Sequence, residues 1–240
     1  MAGDLTIHQA VKINLKLNDM AIRLEKGQRI NLEKDNGAKM TNFCVGCNWG
    51  AITKKAFFGL TTKVVDVDLD LSCMMFDVDG KVVDHIWSPL YNFGGKLPQG
   101  KLDSNDRALH HTGDDRTGDP DGDDGLDNEI ITVNLNRVSS NINSIVFFLN
   151  IYNNKEYGGD FSGIPYASIR MFEGTPERPP KQVFAQYNVA TKTDCIGKRA
   201  LIMGKLYRHN GNWKFAAIGD AFEDPGIANT ILRVAKDYAK

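Results

Sequence analysis

Residues His111 to Glu129 read HTGDDRTGDPDGDDGLDNE, and the rest of the chain has to accommodate this acidic stretch. Between His110 and Glu129 the only cation is Arg116, although the whole chain has a formal net charge of -1. The eight carboxylates are Asp114, Asp115, Asp119, Asp121, Asp123, Asp124, Asp127 and Glu129. Two unit charges about 4 Å apart repel by about 1 kcal/mol in water and by about 4 kcal/mol near a protein surface. The stretch is therefore either a solvated loop without fixed structure or an ordered loop that holds a cation.

The pattern inside the acidic stretch favours the ordered loop. Four glycines interrupt it at positions 113, 118, 122 and 125, and Asp119, Asp121 and Asp123 alternate along it. Such a chain can fold back and direct several carboxylates at one point. Oxygen-only ligands suit Ca²⁺ better than zinc, which prefers nitrogen and sulfur. We therefore expect a bound divalent cation in a geometry other than an EF-hand, because Asp124 stands where an EF-hand beginning at Asp119 needs glycine.

A second acidic segment, Val64 to Ser72, reads VVDVDLDLS and alternates apolar residues with Asp66, Asp68 and Asp70. Alternation of this kind predicts one β-strand with an apolar face and a carboxylate face. A surface strand of this composition is unfavourable, because β-structure is depleted in Asp and like charges on one face repel. We expect these carboxylates to approach the same cation as the acidic loop.

Composition and length narrow the functional classes. The 240 residues are 42% hydrophobic and 25% charged, which is ordinary for a globular protein that buries a core. There is no basic patch with interleaved aromatic residues, so we expect no nucleic-acid partner. The longest apolar run, Ile145 to Leu149, is too short to cross a membrane, so we expect no integral membrane segment. Residues 1–20 lack the apolar core of a signal peptide, which predicts a cytoplasmic protein.

The four cysteines predict neither a disulfide framework nor a redox centre. Cys44 and Cys47 form a C-x-x-C motif, but no second pair completes a zinc site. The surrounding residues 43–49 have strand-like sequence, whereas a thioredoxin-type motif begins a helix. We expect structural cysteines.

The remaining pattern predicts a mostly β protein, a β-sandwich of two antiparallel sheets with a C-terminal helix. Short β-branched and aromatic runs alternate with turn residues, such as Asp79-Gly80 and the turn at residues 209–211. One convincing helix ends the chain, with Asp224 as the expected cap and Pro225 in the first turn. Its apolar stripe consists of Ile227, Ile231, Val234, Ala235 and Tyr238. We expect residues 1–19 to be an N-terminal extension and residues 20–240 to form one domain with its functional loops at one end.

Four blocks of the sequence resemble the TerD family of tellurium-resistance proteins. They are MAIRL at 20–24 with KGQ at 26–28, DLDLS at 68–72, HTGDDRTGDPDGDD at 111–124, and LYRHNGNWKF at 206–215, of which the third is highly specific. The resemblance implies a bacterial Ca²⁺-binding β-sandwich associated with resistance to tellurite and other stresses, without established catalytic activity. It further implies two neighbouring Ca²⁺ ions. The implied ligands are Asp68, Asp70, Asn92, Asp114, Asp119, Asp121, Asp123, Asp124 and Glu129.

The chain departs from the family pattern in three places near the implied ligands. Phe93 replaces a second Asn after Asn92, and extra residues between Gly94 and Arg107 lengthen the approach to the acidic loop. Residues 125–128 also intervene before the acid that ends the motif. Asp127 or Asn128 could therefore take the place of Glu129 as a ligand.

Three functions are compatible with the sequence. The leading hypothesis is a non-catalytic Ca²⁺-binding stress-response protein whose metal orders the acidic loop, which then presents a surface to an unidentified protein partner. A metal-dependent hydrolase or phosphotransferase would use the same acidic cluster with His110 or His111, although no catalytic motif supports it. Ca²⁺-dependent attachment to a membrane or glycan would use Trp87, Tyr91 and Phe93 beside the metal.

Overall fold

The computed structural model describes residues 22–23, 26–32, 37–56, 61–152, 158–189 and 193–240, and within these it describes residues 22–23 and 53–56 as backbone alone. The expected N-terminal extension, residues 1–19, lies outside this part of the chain.

Six strands form the first sheet, which we call sheet I. They are β1 (Ile22–Arg23), β3 (Asn42–Trp49), β8 (Leu109–His111), β9 (Glu129–Asn134), β11 (Ala167–Glu173) and β12 (Gln182–Asn188). Their order across the sheet is β1, β12, β11, β3, β9, β8. The short strand β1 runs parallel to β12, and the other neighbours are antiparallel.

Six further strands form sheet II. They are β2 (Arg29–Asn31), β6 (Leu69–Phe76), β7 (Val82–Ile86), β10 (Ser144–Ile151), β13 (Ala200–His209) and β14 (Asn212–Phe222). Their order is β2, β14, β13, β10, β6, β7, with every neighbouring pair antiparallel. The strands β4 (Ile52–Ala56) and β5 (Thr61–Val65) pair separately as a small two-stranded sheet.

The two large sheets face each other across the main hydrophobic core, which confirms the predicted sandwich. Phe43 and Val45 of sheet I and Leu71 and Phe147 of sheet II belong to this core. The central strands β6 and β10 are buried along their whole length, so both of their faces are covered. Fully buried strands read as continuous apolar runs rather than as alternating ones. This explains the run at residues 145–149.

The C-terminal helix α1 (Ile227–Arg233) covers the outer face of sheet II and continues as a π-helical turn, Val234–Tyr238. Ile227, Ile231 and Val234 form a second core with Phe148 of β10. The expected packing of the helix on the sheets is therefore confirmed.

The expected cap of this helix is wrong. Gly226 occupies the cap position without a side-chain hydrogen bond, whereas the carboxylate of Asp224 accepts hydrogen bonds from Arg233 at 2.7 and 3.1 Å and from the Thr230 hydroxyl. Asp224 is buried, and a bidentate guanidinium partner stabilises a buried carboxylate better than a backbone amide does.

Val64 to Ser72 is not one strand, contrary to the sequence expectation. Strand β5 ends at Val65, β6 begins at Leu69, and residues 66–68 lie between them without regular pairing. The indole of Trp49 donates to the carbonyl of Val67 at 2.7 Å, and the amide of Tyr152 donates to the carbonyl of Asp68 at 2.8 Å. These hydrogen bonds to residues distant in the sequence fix residues 66–68 in a conformation outside both strands, and this directs Asp68 towards the interior.

Candidate metal centre

A buried group of three carboxylates lies where the two sheets approach each other. It consists of Asp70 of β6, Asp114 of the loop after β8, and Glu129 at the start of β9. One carboxylate oxygen from each residue lies within 4.8 Å of the others. Asp70 and Glu129 are buried, and Asp114 is partly exposed. Residues far apart in the sequence therefore converge on one point.

The pairing of β6 explains how Glu129 reaches this point. Strand β7 pairs with β6 only from Cys73 onwards, so the backbone of β6 near Leu71 has no strand partner on that side. The Leu71 amide donates to Oε2 of Glu129 at 2.7 Å, and the Asp115 amide donates to Oε1 at 3.1 Å. The ring of His111 donates from Nε2 to the Leu71 carbonyl at 3.0 Å, because its Nδ1 accepts from the Gly113 amide. Glu129 and His111 thus connect the sheets.

Burial and mutual repulsion raise the pKa of every strongly buried carboxyl at this point. Burial raises the pKa of Asp70 well above its usual value, the charges of Glu129 and Asp68 raise it further, and a 2.5 Å hydrogen bond from the Tyr91 hydroxyl opposes the rise. Burial also raises the pKa of Glu129, against the two amide hydrogen bonds. The described residues supply too little positive charge for this group.

Asp68 lies beside the buried group and shares its electrostatic environment. Its side chain lines a cavity of about 100 Å³ together with Asp70, Asp114 and Arg116. Asp68 is 5% exposed, and its Oδ1 has no hydrogen-bond partner within the described part of the chain. Burial and the charge of Asp114 raise its pKa to about 7, although Arg116 opposes the rise. A buried carboxylate oxygen without a donor is costly, and a bound cation would satisfy it.

A second group, Asp119, Asp123 and Asp124, lies in the more exposed part of the acidic loop. Neutral side chains hold Asp119 in place: Nδ2 of Asn128 donates to its Oδ1 at 2.8 Å and the Tyr166 hydroxyl donates to its Oδ2 at 2.9 Å. Nδ2 of Asn48 donates to Oδ1 of Asp123 at 2.9 Å. The loop is anchored, yet its carboxylates have no cationic side chain as a partner among the described residues.

Residues 125–128 fold over the outer face of sheet I, where Asp127 and Asn128 have other partners. The guanidinium of Arg170 pairs with Asp127 at 2.9 Å and donates to the Gly125 carbonyl at 3.0 Å. Asp127 lies directly over Gly46 of β3, where a β-carbon would collide with its carboxylate. Asn128 uses its Oδ1 to accept from the Trp49 amide and its Nδ2 to bind Asp119.

The implied ligands therefore divide into three sets. The structure brings together Asp70, Asp114 and Glu129, with Asp68 adjacent, and separately Asp119, Asp123 and Asp124. Asp121 and Asn92 are exposed and belong to neither group, and Oδ1 of Asn92 accepts from the Gly94 amide. Tyr166 donates to Asp119 and was missed in the sequence, whereas Tyr91 and Asn128 were considered there in other roles and were not expected to donate to Asp70 and Asp119. Their roles depend on contacts across loops, which no local spacing reveals.

The donor chemistry of both groups suits a hard cation. The carboxylates offer only oxygen, which Ca²⁺ prefers, and the nearby imidazole of His111 already uses both ring nitrogens in hydrogen bonds. A bound cation would satisfy the orphaned Oδ1 of Asp68 and would oppose the rise that burial causes in the pKa values of Asp68 and Asp70. The residues present therefore fit a divalent metal.

Comparison with known proteins identifies the family. The model of the TerD domain matches residues 20–233. The chain belongs to the TerD domain family. Stress response protein SCP2 of Bacillus subtilis (strain 168) is 33% identical over 219 residues, covering 89% of this chain and 99% of the relative. Tellurium resistance protein TerD of Serratia marcescens is 31% identical over 219 residues, covering 91% and 97%.

Solved structures support the TerD fold. The crystal structure of a homologue of the telluride resistance protein TerD from Streptomyces coelicolor A3(2) aligns with a TM-score of 0.56 at 15% identity, covering 83% of this chain and 98% of that one. A crystal structure of a protein of unknown function aligns with the same TM-score at 18% identity, covering 83% and 96%. At these identities the likeness concerns the fold alone.

The cysteines and aromatic residues considered in the sequence are buried or partly buried in the fold. Burial raises the pKa of the Cys44 thiol to about 11 and that of Cys47 well above its usual value. Trp87 is buried in the second core, with Tyr91 and Phe93 packed partly buried against it. Within the described residues, every helix is too short or too polar to span a bilayer.

Proposed function

We propose that this TerD-family protein is a non-catalytic stress-response protein of the tellurite-resistance type that binds two Ca²⁺ ions. Asp68, Asp70, Asp114 and Glu129 would hold one ion, and Asp119, Asp123 and Asp124 the other. Asp121 and Asn92 remain predicted ligands outside both groups. The observation that supports the proposal best is the buried group with Asp68 beside it: burial raises the pKa values of Asp68, Asp70 and Glu129, and Oδ1 of Asp68 has no donor among the described residues.

Bound Ca²⁺ supplies the positive charge that these carboxylates lack. Glu129 links the loop to β6 through the Leu71 amide, and Asn128 links the second group to β3 through the Trp49 amide. These bonds transmit ordering of the carboxylates to both sheets. We propose that the ordered loop presents the surface that a protein partner recognises. Because binding favours the folded state, stability should increase with free Ca²⁺.

The hydrolase or phosphotransferase alternative has weaker support. His111, the histidine nearest the carboxylates, uses both ring nitrogens in hydrogen bonds, and burial lowers its pKa to about 4. His110 is exposed and pairs with Asp103 at 2.9 Å. Neither imidazole is therefore placed as a general base at the metal centre.

Calorimetric titration of chelator-treated protein with Ca²⁺, and separately with Mg²⁺, tests the metal proposal. We expect two Ca²⁺ per chain, a marked preference over Mg²⁺, and a rise in melting temperature. The double variant Asp123→Asn, Asp124→Asn should lose one site and retain the other. The control Asp79→Asn, which removes one carboxylate from the turn between β6 and β7, should retain both.

A survival assay tests whether the metal serves the stress function. The native chain and an Asp70→Asn, Glu129→Gln variant would be expressed at equal levels in a tellurite-sensitive bacterium. We expect protection by the native chain only. Equal protection by both would show that the buried carboxylates are not needed, and absence of Ca²⁺ binding in calorimetry would refute the metal proposal directly.

A further inference from the structure

A cavity lies on the outer face of sheet I, away from the candidate metal centre. It is an open cavity of about 650 Å³ with strands β3 and β9 as its floor. One wall is the loop before β8, which carries Arg107, and the other is the β11–β12 connection, which carries Lys181. Glu129 and Asn134 are the two ends of β9, about 17 Å apart at about 3.3 Å per residue, so this cavity and the metal centre occupy opposite ends of that strand.

The charge of this cavity is opposite to that of the acidic loop. Arg107, Arg137 and Lys181 line it, and none of them makes an ion pair or a side-chain hydrogen bond within the described part of the chain. Two acidic residues also line the cavity, Asp103, which is already paired with His110, and Glu173. The three cations outnumber these two carboxylates and pair with neither of them among the described residues, which favours an anionic ligand.

The backbone presents Arg107 in a conformation that ordinary side chains avoid. Its φ is +55°, and Asn210 in a hairpin turn is the other non-glycine residue with positive φ in the described ranges. Asparagine tolerates this region, whereas arginine gains nothing from it locally. Conformations of this kind persist where the surroundings impose them, and they concentrate at functional sites.

Hydrogen bonds hold the Arg107 turn rigid. The Arg107 amide donates to the Ser104 carbonyl at 2.8 Å, and Ser104 Oγ accepts from the amides of Ala108 and Leu109 at 3.0 Å. Ser104 is buried and donates its hydroxyl proton to Asp106. The turn is thus built around a buried side chain and carries its arginine outward.

The turn that carries Arg137 is bonded to the Arg107 turn. The Asn134 amide donates to the Ala108 carbonyl at 2.8 Å, and the Ser139 amide donates to Oδ2 of Asp106 at 2.8 Å. The Arg137 amide closes its own turn onto the Asn134 carbonyl at 3.0 Å. The two arginines are therefore displayed from one rigid unit, which reduces the entropy lost when an anion binds.

We propose that this cavity binds a small phosphorylated molecule, with the phosphate held by Arg107 and Arg137. Arginine donors match phosphate oxygens in pairs. The volume lies within the roughly 300–1,000 Å³ of small-molecule sites. The two walls, beside β8 and β11, are three strand spacings apart, about 14 Å. This width leaves room for the rest of the ligand, which Lys181 and the polar floor residues Asn42 and Thr132 contact.

Calorimetric titration of the Ca²⁺-loaded protein, dialysed to remove excess free Ca²⁺, with ribose 5-phosphate, inorganic phosphate and, separately, ribose tests the site. We expect ribose 5-phosphate to bind most tightly, inorganic phosphate more weakly, and ribose not at all. Arg107→Gly is the informative variant, because glycine relieves the positive φ and the melting temperature should stay equal or rise. Its affinity for ribose 5-phosphate should fall by about tenfold or more, as should that of Arg137→Ala.

The matched control is Arg178→Ala, which removes an exposed arginine from the β11–β12 connection outside the cavity lining. It should bind as the native protein does. An equal loss in this control would show non-specific charge attraction and overturn the proposal. Failure of ribose 5-phosphate to bind at about 10 mM, or binding no tighter than inorganic phosphate, would also overturn it.

Discussion

Replacing Asp68 by Asn should stabilise the metal-free protein, although it alters a buried residue of the proposed site. The pKa of Asp68 is raised from 3.8 to about 7, mainly by burial. At about 1.4 kcal/mol per pH unit, the ionised form costs the metal-free fold about 4 kcal/mol. The Asn side chain is also polar, and burying it without a full set of hydrogen bonds costs roughly 2 kcal/mol. The net gain is therefore about 2 kcal/mol at pH near 8.

Calcium should reverse the relative stability of the native protein and the Asp68→Asn variant. The native carboxylate contributes its oxygens to the proposed site, so its loss should weaken Ca²⁺ binding by about a hundredfold, equivalent to about 2.7 kcal/mol, which exceeds the gain of about 2 kcal/mol in the metal-free protein. The substitution is thus favourable without metal and unfavourable with it. A residue that merely packs in the core would shift stability in the same direction under both conditions.

Urea unfolding in chelator and in excess Ca²⁺ measures both effects. For a chain of this length, 2 kcal/mol corresponds to a shift in melting temperature of about 4–8 °C, so thermal unfolding provides a second reading. Asp79→Asn, which removes the same charge from an exposed hairpin turn, should change neither condition. Lower stability of Asp68→Asn in chelator, or an identical response to Ca²⁺ in the native and variant proteins, would refute the electrostatic reasoning.

Three further predictions follow from the same contacts. The stability of the metal-free protein should fall between about pH 4 and pH 7. A carboxyl whose folded pKa is raised, such as Asp68 with a rise from 3.8 to about 7, is protonated in the folded state over that range and loses this stabilising proton as the pH rises. A rise in urea midpoint over that range would contradict this. Arg170→Ala should destabilise the fold by roughly 3 kcal/mol, because it leaves Asp127 buried without its partner, whereas adding Asp127→Ala should recover part of the loss in urea unfolding. Equal stability of the single and double variants would exclude that explanation. The thiols of Cys44 and Cys47 should react with a disulfide reagent only after unfolding, because both are buried and their pKa values are raised. Rapid labelling of the native protein would contradict the expectation that these cysteines are structural.

Local patterns predicted several features correctly. The Asn210-Gly211 turn joins β13 and β14 with positive φ at both residues, as the hairpin signal requires. His110 and His111 point to opposite sides of β8, one exposed and one buried, as adjacent strand residues must. The acidic loop is also recognisable from the sequence, because eight carboxylates in so short a segment repel one another unless a cation compensates their charge.

The sequence alone therefore predicted the sandwich, the terminal helix and the two acidic segments that supply most candidate ligands, since periodicity, turn chemistry and charge density are local properties. The ligand set itself was implied by the resemblance to the TerD family. Only the tertiary structure decided which carboxylates meet. Glu129 joins Asp70 because β7 leaves part of the β6 backbone unpaired, and Asp127 is withdrawn from the centre by Arg170 and the small Gly46. Tertiary contacts also explain why β5 and β6 are separate strands and why Asp224 does not cap the C-terminal helix. Long-range hydrogen bonds and ion pairs outweigh local propensity where polar groups are buried, because an unpartnered buried group costs more than a departure from regular structure.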